Sequence, residues 1–308
     1  MPACILMLNL SLVSVLQATP EKNGFDLSGS LIPIDKILHG GPSKDGIPAI
    51  NQPRFIKAKQ ADFLKRNDRI IGIEINGVQR AYPIKILNWH EIVNDHVGNR
   101  AIVITYCPLC GTGVVYDANI KGKTLQFGVS GLLYNSDVLL YDRQTQSLWS
   151  QILSKSISGK HKNTPLNIIS SSHTSWGKWQ QQHPNTLVLS TKTGYQRNYN
   201  RSPYGDYNRN QTLYFPVSAK SKRYHPKERV LGISLNGIHK AYPFIELAKN
   251  NSSVITDQVA GKTLRIRFDI NNRDGKITDQ QGNIIPSINS FWFAWYAFHP
   301  SSKVYKVK

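Results

Sequence analysis

The chain has 308 residues, 40% of them hydrophobic and only 19% charged, with six Trp, 14 Tyr and 10 Phe. That is too apolar and aromatic for a disordered or collagen-like polymer, and three cysteines in such a length exclude a disulfide-stapled scaffold. Lys and Arg outnumber Asp and Glu by 38 to 19, unevenly: residues 1–150 hold 15 basic against 12 acidic side chains, residues 151–308 hold 23 against 7.

Residues 1–18 form an uncharged, mostly apolar leader that contains Cys4 and ends on Ala18, which reads as the hydrophobic core and cleavage site of a secretory signal. The expected setting is extracytoplasmic, periplasmic or secreted, and cytoplasmic if the leader is not a signal. Asn9, Ser11 and Ser14 interrupt the run, so no transmembrane span is expected. Residues 19–68 read as an extended N-terminal segment.

The chain then repeats itself. Arg69–Ile84 aligns without a gap to Arg229–Phe244 at an offset of 160, with half of the positions identical. A second match follows two residues out of step, Val93–Val97 against Ile255–Val259 and Ala101–Tyr106 against Thr263–Phe268. Each copy opens with alternating apolar residues around an Asn-Gly pair, Asn76-Gly77 or Asn236-Gly237, the signature of a hairpin with a type I′ turn. Pro83 and Pro243 fit the first turn of short helices over Ile84–Glu91 and Phe244–Asn250, and strands follow at Ala101–Tyr106 and Leu264–Phe268.

Further short strands are expected at Gly113–Asp117, Thr124–Val129, Val138–Tyr141 and Ser147–Trp149. Ser170–Gln182 reads as a helix, and the aromatic run Phe291–Phe298, apolar on both parities, reads as a strand covered on both faces. The predicted fold class is therefore mainly β with a few short helices. Two related β-rich units, 69–151 and 229–308, flank a basic connecting segment, 152–228, and pack as one body.

Chemistry is sought where the copies differ. The first runs Cys107-Pro-Leu-Cys110-Gly-Thr-Gly113, where the second has Asp269-Ile-Asn-Asn272 and no cysteine. Strand, Cys-x-x-Cys-Gly, strand is the shape of a metal knuckle, and two thiols at this spacing can also close a disulfide or exchange one. No second cysteine pair completes a four-ligand site, so histidines are the candidate partners. His90 comes first, beside Glu91, then His173, with His96, His161 and His183 behind them. Asp137, Asp142 and Arg143 suggest a polar pocket with Tyr134 and Asn135, or a hairpin tied by an Asp–Arg pair. Asp269–Gly275 has the outline of a calcium loop, but Arg273 sits at a ligand position, so a plain Asp-Gly turn is expected.

Asn88–Asp95, Thr105–Thr112, Phe127–Asp137, Leu148–Gln151, His183-Pro184 and Phe291–Phe298 resemble the motifs of the DUF3179 family, a domain of unknown function in bacteria and archaea. The resemblance covers nearly all of the chain after about Gly24. It implies a whole-chain unit and an exported setting, and it maps the family's Cys-Pro-Leu-Cys onto Cys107 and Cys110 and its Trp-His-Glu onto His90 and Glu91. It supplies no reaction.

Three functions stay open. One is an exported metal-binding protein holding copper, zinc or iron through Cys107, Cys110, His90 and His173, with a metal partner protein. Another is a thiol–disulfide oxidoreductase in which Cys107 attacks and Cys110 resolves, with a redox partner. The third is a non-catalytic module binding a polyanion through residues 151–230, where Tyr195, Tyr199, Tyr204 and Tyr207 interleave with Arg197, Arg201 and Arg209.

Overall fold

A computed structural model describes residues 19–307; the leader and Cys4 lie outside it. The fold is β-rich with four short helices, and the two units are copies in three dimensions. Each hairpin forms as its sequence predicts, Arg69–Ile75 with Val78–Pro83 and Arg229–Leu235 with Ile238–Pro243. Asn76 and Gly77, at φ 50° and 76°, make the turn in the first. A short helix follows each, Ile84–His90 and Phe244–Leu247, then a second hairpin, Ile92–Val97 with Arg100–Cys107 and Val254–Val259 with Lys262–Asp269.

Each unit closes with a strand and a helix that bring two tryptophans home. Ser172–Ser175 pairs with Arg69–Ile75 of the first unit's opening hairpin and leads into the helix Trp176–Gln182; Ile288–Phe291 pairs with Arg229–Leu235 of the second unit's opening hairpin and leads into the helix Trp292–Phe298. Trp179 lies flat on Gly72 and Trp295 flat on Gly232, so closely that a Cβ on either glycine would meet the ring at 2.5 Å or 2.2 Å. The indole Nε1 atoms donate to Thr186 Oγ1 at 3.0 Å and Ser302 Oγ at 2.8 Å. Two expectations are corrected here. Ser170–Gln182 is a strand followed by a helix, and Phe291–Phe298 is helical from Trp292, because a helix buried all round shows no polar face in its sequence. Smaller departures are a helix that stops at Leu247, a strand that starts at Phe127 rather than Thr124, and Asp274-Gly275, which opens a strand instead of forming a turn.

The units are interlocked. The closing strand of the second unit meets the first unit at Asn289↔Gly113, so one eight-stranded sheet runs through both. Arg69 of the first unit donates to the carbonyls of Asn272 and Arg273, and Arg229 of the second donates to the carbonyl of Gly111, the matching position. Burial lowers the pKa of both guanidinium groups, Arg69 to about 9.

One insertion breaks the symmetry. Phe127–Tyr134, Asp137–Asp142, Leu148–Ser150 and Lys155–Ser156, edged by Ile37–His39, form a separate five-stranded sheet that exists only in the first unit. Its Phe127, Val129, Leu140 and Trp149 pack on Ala101, Val103, Val114 and Tyr116 of the second hairpin and the strand after it. From Ser190 to Glu228 the chain has neither helix nor strand and crosses this region as a long strap.

Candidate functional site

The two cysteines flank a tight turn. Arg100–Cys107 ends on the first, Thr112–Asp117 starts just after the second, and Gly111 between them holds φ 57° with its α-carbon against the Phe291 ring. A side chain there would meet that ring at 2.7 Å, which explains the glycine beside the pair. The sulfurs are unbonded and 3.6 Å apart.

The inserted sheet supplies the other wall. Its two-residue turn, Asn135 and Ser136 at φ 52° and 65°, points the Ser136 carbonyl at both sulfurs. Cys110 Sγ donates to it at 3.1 Å and Cys107 Sγ lies 3.6 Å from it. Asp137 comes next in the chain and places a carboxylate oxygen within 4.8 Å of both sulfurs. Its Oδ2 accepts the Ile152 amide at 3.0 Å, but Oδ1 has no hydrogen-bond partner although Asp137 is fully buried. Burial pushes the Asp137 carboxyl up to about 7, raises the Cys107 thiol and raises the Cys110 thiol further. Without a cation both thiols therefore keep their protons at neutral pH, while the Asp137 carboxyl gives its proton up around pH 7.

Among the described residues, Cys107, Cys110 and Asp137 are the one group of three such side chains close enough to share an ion. The structure does not bring His90 or His173 to the sulfurs. His90 spends Nδ1 on the Pro48 carbonyl at 2.8 Å and Nε2 on the Tyr199 hydroxyl at 2.7 Å. His173 Nε2 meets the Gly113 carbonyl at 3.1 Å, and burial, with Arg229 and Arg69 nearby, lowers its pKa to about 3. His161 packs at a tilt against Trp149 and His183 against Trp179, while His96 is exposed. The polar pocket expected around Asp137 divides. Asp142 accepts from Thr145 and Trp149, Arg143 pairs with Asp45 at 2.9 Å, and Asn135 binds the Ala297 carbonyl and the Ser218 amide. Asp137 lies 27 residues beyond Cys110, and only its place after a tight Asn-Ser turn marks it in the sequence.

The strap roofs the site with tyrosines. Tyr199 holds His90, Tyr204 donates to Glu91 Oε1 at 3.0 Å, and Tyr207 is buried with Lys227 Nζ 3.8 Å from its ring centre. These three face inward, so the aromatic and basic residues of the segment do not form an exposed stacking ladder. Glu91 sits at φ 56° at the end of its helix, and burial pushes its carboxyl up to about 7. No helix of the described residues is long and apolar enough to cross a membrane.

No curated protein and no solved structure matches the chain. A family model does, over residues 44–282, which include Cys107, Cys110, Asp137, four of the five strands of the inserted sheet and most of the second unit. The chain belongs to the family described as protein of unknown function (DUF3179).

Proposed function

We propose that the protein binds a transition-metal ion, zinc before copper or iron, through the sulfurs of Cys107 and Cys110 and the free oxygen of Asp137. The observation that carries this reading is the fully buried Asp137 carboxyl, whose Oδ1 has no hydrogen-bond partner and which brings an oxygen within 4.8 Å of both sulfurs. An unpaired buried polar atom costs about 1–3 kcal/mol, and a cation would turn that cost into a bond. The sulfur separation of 3.6 Å is near the roughly 3.8 Å that two thiolates span on a tetrahedral ion with bonds of about 2.3 Å. Two sulfurs with a carboxylate suit Zn(II); Cu(I) favours sulfur alone, and an iron–sulfur cluster needs four cysteines or two with two histidines, whereas no histidine joins this pair. The Ser136 carbonyl, which faces both sulfurs, is the candidate fourth ligand.

Thiol–disulfide exchange is less favoured by the geometry. It needs an accessible thiolate, whereas Cys107 and Cys110 are 2% and 0% exposed and burial holds both in the thiol form. An exported setting, expected from the leader, favours the redox alternative, since unligated thiols oxidise there. The test is elemental analysis with a free-thiol count on full-length protein purified anaerobically under reducing conditions. One zinc per chain is expected, removed by chelator, regained on reloading, and lost in Cys107→Ser and Asp137→Asn. Protein that takes up no metal overturns the reading, and a reversible Cys107–Cys110 disulfide in that protein would favour the redox alternative.

A further inference from the structure

The hairpin face that buries the cysteine site in the first unit is bare in the second. Positions on that face correspond at an offset of 162: Val103 to Arg265, Thr105 to Arg267, Cys107 to Asp269, Val114 to Lys276 and Tyr116 to Thr278. In the first unit these side chains lie under the inserted sheet, and Asn94 exchanges hydrogen bonds with the Phe127 backbone. The second unit has no such insertion. Its equivalent face lines an open cleft of about 1120 Å³, whose opposite wall is Ser172, Lys178 and Gln182 of the first unit.

The charges in this cleft are unbalanced. Arg267 and Lys276 are register partners on neighbouring antiparallel strands, and Arg265 lies two residues along, on the same face. Like charges directly opposite each other destabilise a sheet. All three are exposed, and none has a hydrogen bond or ion pair among the described residues. The nearby acids are engaged elsewhere. Asp269 is held by Asn272 and lies 3.7 Å from Lys178, Glu74 accepts from Gln79, and Asp274, the acid that also feels Lys276, makes no ion pair with it and feels the charge of Arg69 more strongly. The cleft thus offers three unpaired cations about one strand spacing apart, roughly 5–7 Å. Around them are hydroxyls and amides, including Asn251, Ser252 and Thr256.

We propose that this cleft binds an acidic oligosaccharide, its carboxylates or sulfates on Arg265, Arg267 and Lys276 and its hydroxyls on the surrounding amides and alcohols. The lining favours a sugar over a nucleic acid because no exposed aromatic ring is available to stack a base. Its concave shape between two units favours a chain over a membrane surface. This site is separate from the cysteine pair, and its ligand is independent of any metal there.

The experiment is calorimetric titration of the full-length protein at low salt with tetragalacturonate, a heparin tetrasaccharide, neutral maltotetraose, an eight-residue thymidine oligonucleotide and phosphatidylglycerol vesicles. The expected result is binding of at least one acidic tetrasaccharide, at least tenfold tighter than maltotetraose, and the preferred one tells carboxylate from sulfate. The double variant Arg265→Ser/Arg267→Ser should weaken it at least tenfold. The control Arg209→Ser/Arg223→Ser, which removes the same charge from the strap, should change it less than twofold. Because the first pair relieves a like-charge contact, its urea midpoint should not fall. The proposal is overturned if neither acidic tetrasaccharide binds, if both double variants lose binding equally, or if the oligonucleotide or the vesicles bind more tightly.

Discussion

Replacing Asp137 by Asn should make the metal-free protein more stable at alkaline pH than at acid pH, relative to the parent. The Asp137 carboxyl is fully buried, and burial raises its pKa from 3.8 to about 7. A group whose folded-state pKa is raised favours folding below its unfolded value and loses that contribution as pH rises through the folded value. The wild-type penalty is then about 2 kcal/mol at pH 5 and about 4 kcal/mol at pH 8. Asn does not ionise, so the stability difference between variant and parent should move by about 2–3 kcal/mol across that interval, whatever the fit of the amide itself. Urea unfolding in chelator and reductant at both pH values measures this. Variant and parent curves that shift in parallel would refute the description of Asp137 as buried without a countercharge.

Two further perturbations probe the frame around the site. Gly72→Ala and Gly232→Ala should each cost about 1–3 kcal/mol by forcing a methyl into the Trp179 or Trp295 ring; unchanged urea midpoints in both would mean that the tryptophans do not lie on these glycines. His173 is buried and neutral, with a folded-state pKa lowered to about 3, so its contribution is lost as pH falls below its unfolded value of 6.5. His173→Asn, which copies Asn289 of the second unit, should remove about 2 kcal/mol of the stability lost between pH 7.5 and pH 5. A variant as acid-labile as the parent would count against this.

The duplicated hairpins were readable because alternation and an Asn-Gly pair act over a dozen residues and need no distant partner. The rest of the duplication was not. Trp176-x-x-Trp179-x-x-x-His183-Pro184 repeats as Trp292-x-x-Trp295-x-x-x-His299-Pro300, but the offset has dropped from 160 to 116 because the inserted sheet separates the halves of the first unit only. The cysteine pair stood out by its absence from the second copy. Asp137 did not, since its role depends on a sheet folding back across the hairpin. His90 is near the cysteines in sequence, whereas Pro48 and Tyr199, 42 and 109 residues away, take its two nitrogens. The basic surplus suggested a polyanion along the strap, yet the strap's tyrosines turn inward and three unpaired cations lie in the second unit's cleft.

The insertion also bears on how the two units assemble. Gly72 must find Ser172, whereas Gly232 need only find Ile288, so the first closure spans nearly twice as much chain. Closure entropy grows only with the logarithm of loop length, and the extra length costs about 0.5 kcal/mol. A whole additional sheet was therefore accommodated between the two halves of a repeat at almost no thermodynamic penalty. What it imposes is order in time: during synthesis the first unit waits for its tryptophan helix until the intervening sheet has emerged, while the second becomes complete over a short, uninterrupted stretch.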